Sequence, residues 1–355
     1  MTEEKIDIKS LDMAAMVDFL AGMGLPPFRA RQIFAWLYKR GVNDFATMTD
    51  IAARVREELE QRAKISKLKL AAKEKSRDGA VKFAFALDDA NLIESVVIPE
   101  EDRNTLCVSS QVGCAMDCSF CLTACLGFKR NLTPAEIVGQ ICAAAEHLPP
   151  ELVRPEFKRP GNIHNLVFMG MDEPLANFEN LVRAIKILMD PQGFDFSGRK
   201  ITVSTCGLVP QMRPLGEAVP VNLAVSLHSV RNEVRDRLMP INKRYPVEEL
   251  LAACRDFPLP PRRAIMFEYI MLAGINDSID DARLMARMLK DIRCKINLLP
   301  YNENPKRDFK CPDRGKIIAF QNVLRQAGYA VFIRDSRGDD ISAACGQLAG
   351  KDADS

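Results

Sequence analysis

The stretch that decides the fold is Leu106-Cys-Val-Ser-Ser-Gln-Val-Gly-Cys114-Ala-Met-Asp-Cys118-Ser-Phe-Cys121. Its apolar first part, Leu106 to Ser110, predicts a buried β-strand. The three cysteines that follow have the spacing C-x3-C-x2-C. Three thiolates so close along the chain can each ligate one iron of a [4Fe–4S] cluster and leave the fourth iron without a protein ligand. The open iron is then available to an external chelating molecule.

A fourth cysteine, Cys125, leaves a second interpretation of this loop open. With the first three it offers four thiolates within twelve residues, which is the number that a structural zinc ion needs. Structural zinc sites usually combine two C-x2–4-C pairs that are separated by a longer stretch of chain. The single compact run therefore favours an iron–sulfur cluster, with Cys125 as a bystander.

Length and composition are those of an ordinary globular protein. The chain has 355 residues, of which 47% are hydrophobic and 27% charged, enough for one large domain and one small one. No run of about 18 apolar residues is present, so no membrane span is expected. The acidic N-terminus lacks the apolar core of a signal peptide. Eleven cysteines in a chain that is not exported predict a reducing, cytoplasmic location.

The net charge of +2 is only a weak indication of nucleic-acid binding. Five basic pairs are more informative, because several of them on one face would form a surface for phosphates. Each pair alone is more often part of a solvated loop. The pairs are Lys158-Arg159, Arg199-Lys200, Lys243-Arg244, Arg262-Arg263 and Lys306-Arg307.

Residues 1–98 are predicted to form a small N-terminal module that begins with three helices. The first is capped by Ser10, the second runs from Arg29 to Arg40, and the third runs from Asp50 to Ala63. The second helix is basic and contains Trp36, a combination that could contact RNA. Its aromatic side chains are explained more simply by a hydrophobic core, so this pattern alone leaves the RNA contact open.

The module continues as a short β-meander over residues 66–98, in which apolar residues alternate around an Asp78-Gly79 turn. Its last strand places Glu94 on the same face as Val96 and Ile98. A carboxylate on an apolar face is either an edge-strand charge near solvent or a partly desolvated group that exchanges a proton near neutral pH. The pattern does not decide between the two.

Residues 99–355 are predicted to form an α/β domain of parallel strands joined by helices. One helix starts at a capping box, Thr133-Pro-Ala-Glu136. Six strands, compared with the eight of a closed barrel, predict an incomplete (β/α)6 barrel that is open on one side to a large substrate. The six strands are Leu106–Ser110, Ile163–Met169, Lys200–Thr205, Asn222–Leu227, Ala264–Ile270 and Lys295–Leu299.

Small polar side chains follow the carboxyl ends of these strands, where parallel barrels place their binding sites. Such groups at successive strand ends suit the ribose and the carboxylate of a bound nucleoside. They are Asp172 and Glu173 after the second strand, Ser204 at the third, Ser226 and His228 on either side of Leu227 at the fourth, and Asn302 after the sixth.

Two further cysteines stand out. Cys107 is on the first predicted strand, and Cys345 is in the C-terminal run Arg337-Gly-Asp-Asp-Ile-Ser-Ala-Ala-Cys-Gly-Gln-Leu348. A lone cysteine is usually a small buried hydrophobic residue. The pattern alone therefore leaves a catalytic role for either cysteine open.

Six segments resemble, in order and in spacing, the dual-specificity adenine carbon-2 RNA methyltransferases of the radical SAM superfamily. The resemblance extends from about residue 10 to residue 350. The segments are Leu106–Cys114, Cys118–Cys121, Gly170-Met-Asp-Glu-Pro-Leu175, Val225-Ser-Leu-His228, Leu238-Met-Pro-Ile-Asn242 and Arg337–Leu348.

The resemblance implies a radical S-adenosylmethionine (SAM) barrel with one [4Fe–4S] cluster on Cys114, Cys118 and Cys121, and two SAM molecules in each turnover. It implies methylation of carbon 2 of an adenosine in 23S rRNA, at the peptidyl-transferase centre, and of the adenosine 3′ to the anticodon in some tRNAs. It also implies a low-potential electron donor, such as flavodoxin or ferredoxin, and a monomeric enzyme.

By the same resemblance, Cys345 accepts a methyl group from the first SAM and loses a hydrogen atom to the radical that the second SAM yields. The methylene group then bonds to carbon 2, Glu94 removes the carbon-2 proton, and Cys107 releases the product by forming a disulfide with Cys345. The implied SAM contacts are Asp172, Glu173, Ser204, Ser226, Leu227, His228 and Asn302.

Asp172 departs from the family pattern, which usually reads Gly-Met-Gly-Glu-Pro at this point. The extra side chain either crowds the bound SAM or gives the SAM ammonium group another partner. Two other functions stay open. A sibling family methylates carbon 8 of the same rRNA adenine, although Pro174 and the run that starts at Arg337 favour carbon 2. From a different class, a non-enzymatic, zinc-containing RNA-binding protein is the remaining alternative.

Overall fold

The computed structural model describes residues 5–153, 162–304, 307–344 and 346–348. The helices are α1 Met13–Ala21, α2 Phe28–Phe34, α3 Ala53–Arg62, α4 Pro134–Glu146, α5 Phe178–Met189, α6 Val209–Ala218, α7 Asn232–Leu238, α8 Val247–Asp256, α9 Ile279–Met288 and α10 Arg314–Gln326. The strands are β1 Ile6–Asp7, β2 Ala63–Lys64, β3 Lys69–Lys75, β4 Val81–Ala86, β5 Leu92–Pro99, β6 Asn104–Val108, β7 Gln111–Gly113, β8 Phe128–Asn131, β9 Asn165–Phe168, β10 Ile201–Thr205, β11 Asn222–Ser226, β12 Ile265–Met271, β13 Cys294–Pro300 and β14 Ala330–Ile333.

One sheet contains ten of these strands, in the order β14-β13-β12-β11-β10-β9-β6-β5-β4-β3. From β6 to β14 every neighbouring pair is parallel. Each strand of this series lies beside the one before it, which is the winding of a barrel. The sheet ends at β14 and β3 and does not close on itself. The predicted incomplete α/β barrel is confirmed.

The predicted number of parallel strands was wrong by one. All six predicted strands are present, with each end within two residues of its predicted position, and β14 is a seventh. It is only four residues long and lies at the sheet edge, with Ala330 and Phe332 exposed. It therefore lacks the continuous apolar run that marks a buried parallel strand.

Helix α4 packs against β5 and β6, and helix α10 packs against β13 and β14. The capping box that was predicted at the start of α4 is present: Thr133 accepts from the Glu136 N–H at 3.2 Å, and the Glu136 carboxylate accepts from the Thr133 N–H at 2.8 Å. Among the described helices, none is long and apolar enough to cross a membrane.

The N-terminal helices differ from the prediction at their ends. Asp12 caps α1, where Ser10 was predicted, because Ser10 belongs to a preceding 3₁₀ turn. The second helix is confirmed, but its last turn, Ala35–Lys39, is a π-helix. Trp36 is buried and donates to Asp50 Oδ1 at 2.5 Å. Its ring therefore belongs to the core.

The β-meander extends the main sheet across the predicted boundary at residue 98. Strand β5 pairs with β6 in antiparallel register, and Val96 lies opposite Cys107. Strand β5 is thus an interior strand, and the Glu94 side chain is only 2% exposed. The edge-strand interpretation of Glu94 was wrong, because β4 and β6 cover both edges of its strand.

Candidate active site

The carboxyl ends of β9 to β13 and the three-cysteine loop surround a cavity of about 160 Å³, here called the central cavity. Its wall includes most of the polar groups that the sequence placed at strand ends. The predicted site residues that line it are Cys114, Cys118, Cys121, Asp172, Glu173, Ser204, Ser226 and His228.

The three-cysteine loop is closed by backbone contacts at its base. The Cys114 N–H donates to the Gly127 carbonyl at 3.1 Å. Gly113 has φ +75°, and a Cβ there would lie 1.8 Å from the same carbonyl oxygen, so only glycine fits. Cys125 is exposed, does not line the central cavity, and accepts from the Arg307 guanidinium at 3.2 Å.

Two thiols of this loop resist ionisation in the bare protein. Burial, together with the nearby carboxylates of Glu173 and Asp172, raises the pKa of Cys114 to about 12. Burial also raises the pKa of Cys118 well above its usual value. Thiolates at these two positions therefore need a cationic group beside them, and binding of that group releases protons.

The three-cysteine loop suits an iron–sulfur cluster better than a single zinc ion. Over the described ranges, no three Cys, His, Asp or Glu side chains are grouped so as to hold one metal ion. An iron–sulfur cluster binds each thiolate at a different iron, so its ligands need not converge on one point. The donor set around the central cavity fits a cluster with three protein ligands.

Glu173 joins the ends of two neighbouring strands. Its Oε2 accepts from the Cys206 N–H at 2.6 Å, and its Oε1 accepts from the Leu175 N–H at 3.1 Å. Its own N–H donates to Gln111 Oε1 at 3.0 Å. Burial raises the pKa of Glu173. The carboxylate is thus fixed at the cavity wall by backbone donors, with lone pairs left for a ligand.

Asp172 is tied to the end of the first parallel strand. Its Oδ2 accepts from the Ser110 N–H at 2.7 Å, and burial raises its pKa to about 7. Gly170, two residues before Asp172, lies against the end of the first parallel strand: a Cβ on Gly170 would lie 2.5 Å from Ser109 Oγ. The turn that carries Asp172 is therefore closely packed.

His228 is held as a neutral ring. Burial, and next the Arg235 charge, lower its pKa to about 3. Its Nδ1 accepts from the Ile270 N–H at 3.1 Å, so the ring proton is on Nε2. The ring also packs edge-on against Phe120, at a centroid distance of 4.9 Å. His228 can therefore act as a hydrogen-bond donor but not as a cation.

Cys107 lies in a small apolar cluster next to the central cavity. The cluster also contains Val96, Met171, Ala343 and Leu348, and so joins the β-meander, the barrel and the C-terminal segment. The Cys107 side chain is buried.

Cys345 itself lies outside the described residues, but its neighbours are placed. Gly346 lines the central cavity, and its carbonyl accepts from the Leu122 N–H at 2.7 Å. Thr123 Oγ1 donates to the Leu348 carbonyl at 2.7 Å. The C-terminal segment thus docks on the three-cysteine loop.

Comparison with known proteins gives the family. The ribosomal RNA large subunit methyltransferase N-terminal domain matches residues 6–65, and the radical SAM superfamily matches residues 108–286. The dual-specificity RNA methyltransferase RlmN of Desulfotalea psychrophila is 55% identical over 98% of this chain and 95% of its own length. That of Geotalea uraniireducens is 53% identical over 98% of both chains. This chain belongs to the RlmN family.

A solved structure agrees with this assignment. A radical SAM methyltransferase from Sphaerobacter thermophilus superposes with a TM-score of 0.89 at 41% identity, over 98% of this chain and 100% of that one. As a radical SAM methyltransferase of the RlmN family, the protein uses one [4Fe–4S] cluster together with SAM.

Two predicted SAM contacts do not line the central cavity. Leu227 is fully buried; its N–H donates to the Glu268 carbonyl, and its carbonyl accepts from Arg235. Asn302 is half-buried in the loop after β13. For both residues the SAM contact stays a prediction that rests on the RlmN-family resemblance.

Two buried ionic residues of the site were missed by the sequence reasoning. Glu268 lines the central cavity, and its Oε1 accepts from Asn297 at 2.9 Å. Arg235 is fully buried and donates to the carbonyls of Cys206, Ser226 and Leu227. Glu268 had a visible signal, since it is a carboxylate within an apolar strand. Arg235 had none, because its bonds to Cys206, Ser226 and Leu227 go to backbone carbonyls, which leave no trace in the pattern of side chains.

Proposed function

We propose that this enzyme methylates carbon 2 of an adenosine in 23S rRNA, at the peptidyl-transferase centre, and of the adenosine 3′ to the anticodon in some tRNAs. Full-length similarity to proteins named dual-specificity RNA methyltransferases supports both substrates. One observation supports the chemistry above all: the segment that contains Cys345 docks on the three-cysteine loop.

Cys114, Cys118 and Cys121 hold the cluster, which supplies the electron that cleaves a bound SAM. Glu173 and Asp172 provide acceptors for the SAM ammonium group, since both carboxylates lie at the cavity wall. Ser204 and Ser226 offer hydroxyls, and neutral His228 offers its Nε2–H. Leu227 and Asn302 are included among the SAM contacts on the resemblance alone.

Glu94, Cys107 and Cys345 complete the reaction on the RNA side of the site. Cys345 holds the transferred carbon on its sulfur, and Glu94 takes the carbon-2 proton. The Cys107 thiolate then attacks the Cys345 sulfur: a disulfide forms, the bond from that sulfur to the methylene carbon breaks, and its electron pair goes to this carbon, which takes a proton and becomes the methyl group of the product. Support comes from the apolar cluster, which contains both Cys107 and Ala343, a residue two positions before Cys345.

The N-terminal module, residues 1–98, contacts the RNA in this proposal, and residues 99–355 form the catalytic part. Arg31, Lys39 and Arg40 are exposed on its second helix and support a phosphate contact. Lys158-Arg159 and Lys306 lie outside the described residues.

A low-potential protein such as flavodoxin or ferredoxin donates the electron, and the enzyme works as a monomer in the cytoplasm.

Mass spectrometry of nucleosides from 23S rRNA and tRNA tests this function. Cells that lack the protein should lack 2-methyladenosine in both RNAs, and the wild-type protein should restore it. The Cys345→Ala variant should not restore it. Appearance of 8-methyladenosine with the wild-type protein would instead identify the sibling activity, and unchanged nucleosides in both strains would contradict any RNA methylation.

A further inference from the structure

Lys82 is a buried lysine that the proposed reaction does not use. It lies on β4, and its side chain is only 3% exposed. A lysine is almost never buried unless its ammonium group is paired. Its partners therefore indicate what it does.

The Lys82 ammonium group contacts three different parts of the molecule. Its Nζ is 3.5 Å from Glu94 Oε1 on β5 and 3.1 Å from Glu74 Oε1 on β3. It donates its shortest hydrogen bond, of 2.8 Å, to the Ile341 carbonyl. Ile341 belongs to the C-terminal segment that leads to Cys345. Lys82 thus bridges the proposed base and the segment with the methyl-accepting cysteine.

The turn before Lys82 fixes the same C-terminal segment. The Gly338 N–H donates to Asp78 Oδ2 at 2.8 Å, and Ser76 Oγ donates to Asp340 Oδ1 at 2.5 Å. The far end of the segment is held by Leu122 and Thr123 of the three-cysteine loop. The described residues on both sides of Cys345 are therefore held by hydrogen bonds, and Lys82 binds on the N-terminal side, at Ile341.

We propose that Lys82 is a positioning residue, which fixes the Glu94 carboxylate relative to the segment that holds Cys345. The proposal rests on the roles proposed above for Glu94 and Cys345. In the step concerned, the carbon-2–hydrogen bond breaks, the proton goes to a Glu94 oxygen, and the electron pair stays on the adenine ring. Without the ammonium group, the ion pair of Lys82 with Glu94 and the hydrogen bond of Lys82 to the Ile341 carbonyl are both lost, so the position of the Glu94 carboxylate relative to the C-terminal segment is no longer fixed.

The test follows separate steps of the reaction in purified enzyme. Lys82→Met keeps the length of the side chain and removes its charge. It should methylate Cys345 and cleave SAM within about twofold of wild type, because neither step uses Glu94. Release of RNA from Cys345 should slow by about tenfold or more, so that a nuclease-sensitive covalent adduct accumulates on denaturing gels.

Three further variants make the result specific. Glu94→Gln removes the base and should accumulate the same adduct. Lys82→Arg keeps a cation at this place and should restore release to within a few-fold of wild type. Glu74→Gln is the matched control: it removes the partly exposed partner of Lys82, leaves the Glu94 and Ile341 contacts, and should release RNA normally. If Lys82→Met does not fold, Lys82→Met/Glu74→Gln also removes the Glu74 charge that Lys82 neutralises; it still lacks the Lys82 contacts with Glu94 and Ile341, and it should accumulate the adduct.

Three outcomes would contradict the inference, and the measurements tell them apart. Normal release in folded Lys82→Met, alongside adduct in Glu94→Gln, overturns the inference and leaves the base role standing. An equal loss of SAM cleavage, Cys345 methylation and release in Lys82→Met assigns a purely structural role and also overturns it. No adduct in Glu94→Gln contradicts the proposed base, and the inference fails with it.

Discussion

Burial shifts the pKa of several ionisable residues of the central cavity toward their uncharged forms. Burial raises the pKa of Cys114 to about 12 and the pKa of Asp172 and Glu268 to about 7, and it lowers the pKa of His228 to about 3. A pocket of this kind favours cationic ligands, because each positive charge lets a neighbouring carboxyl or thiol group ionise. The irons of a cluster, a sulfonium group and an ammonium group are such cations.

Cys118→Ala should abolish iron loading. In this variant only two thiolates of the loop remain, so two irons of the cluster lack a protein ligand and the cluster is not retained. Cys125→Ala is the control, because that thiol is exposed and outside the central cavity. Iron per chain after anaerobic reconstitution should fall to near zero in the first variant and stay at the wild-type level in the second. Full iron and SAM cleavage in Cys118→Ala would show that the ligand assignment is wrong.

Glu268→Gln should change how stability depends on pH. Burial raises the Glu268 pKa from 4.5 to about 7, so the folded state binds the proton more tightly than the unfolded state does. Wild-type stability therefore falls as pH rises from about 4.5 to about 7, and glutamine lacks this loss. The free energy of unfolding of the variant relative to wild type should rise across this window by on the order of 3 kcal/mol and level off above it. Urea unfolding of the SAM-free protein at several pH values measures this difference, and a pH-independent difference contradicts it.

At the scale of elements, the sequence predicted those features that depend on contacts between residues close together in the chain. The capping box at Thr133, the six inner strands and the three-cysteine loop were all visible in the sequence, because each depends on residues a few positions apart. The short edge strand β14 was missed, because half of it is exposed. The docking of the C-terminal segment on the turn at Asp78 was not visible either, since those contacts join residues about 260 positions apart.

Gly338→Ala should detach the C-terminal segment. Gly338 has φ +71°, and an added Cβ would lie 2.7 Å from the Ala343 Cβ. Gly328→Ala is a matched control, because Gly328 also has positive φ, of +92°, but open space around it. Both variants should lose about 1 kcal/mol of stability or more from the strained backbone. Only Gly338→Ala should also lose Cys345 methylation, measured by peptide mass spectrometry, while its iron content stays normal. Equal methylation in the two variants would show that the docked segment is not needed.

At the scale of the whole molecule, the proposed catalytic residues come from regions far apart in the sequence. Glu94 is on the antiparallel part of the sheet, Cys107 is on the first parallel strand, and Cys345 follows the last one. The strand pairing of β5 with β6 and the apolar cluster around Cys107 bring these regions together. Sequence spacing could identify the three residues only through the family resemblance, because no local pattern connects them.

Cys107→Ala should trap RNA on the enzyme. If the Cys107 thiolate attacks the Cys345 sulfur, its loss leaves methylation of Cys345 and bond formation to carbon 2 intact but stops release, because thiol–disulfide exchange needs a positioned sulfur nucleophile. The purified variant should show a nuclease-sensitive shift on a denaturing gel, and the shift should vanish in Cys107→Ala/Cys345→Ala. Cys254→Ala is the control, because Cys254 is a buried core thiol on α8. It should lose only packing stability, with no trapped RNA. A Cys107→Ala variant that turns over freely would assign Cys107 the same role as Cys254, a small hydrophobic residue of the core.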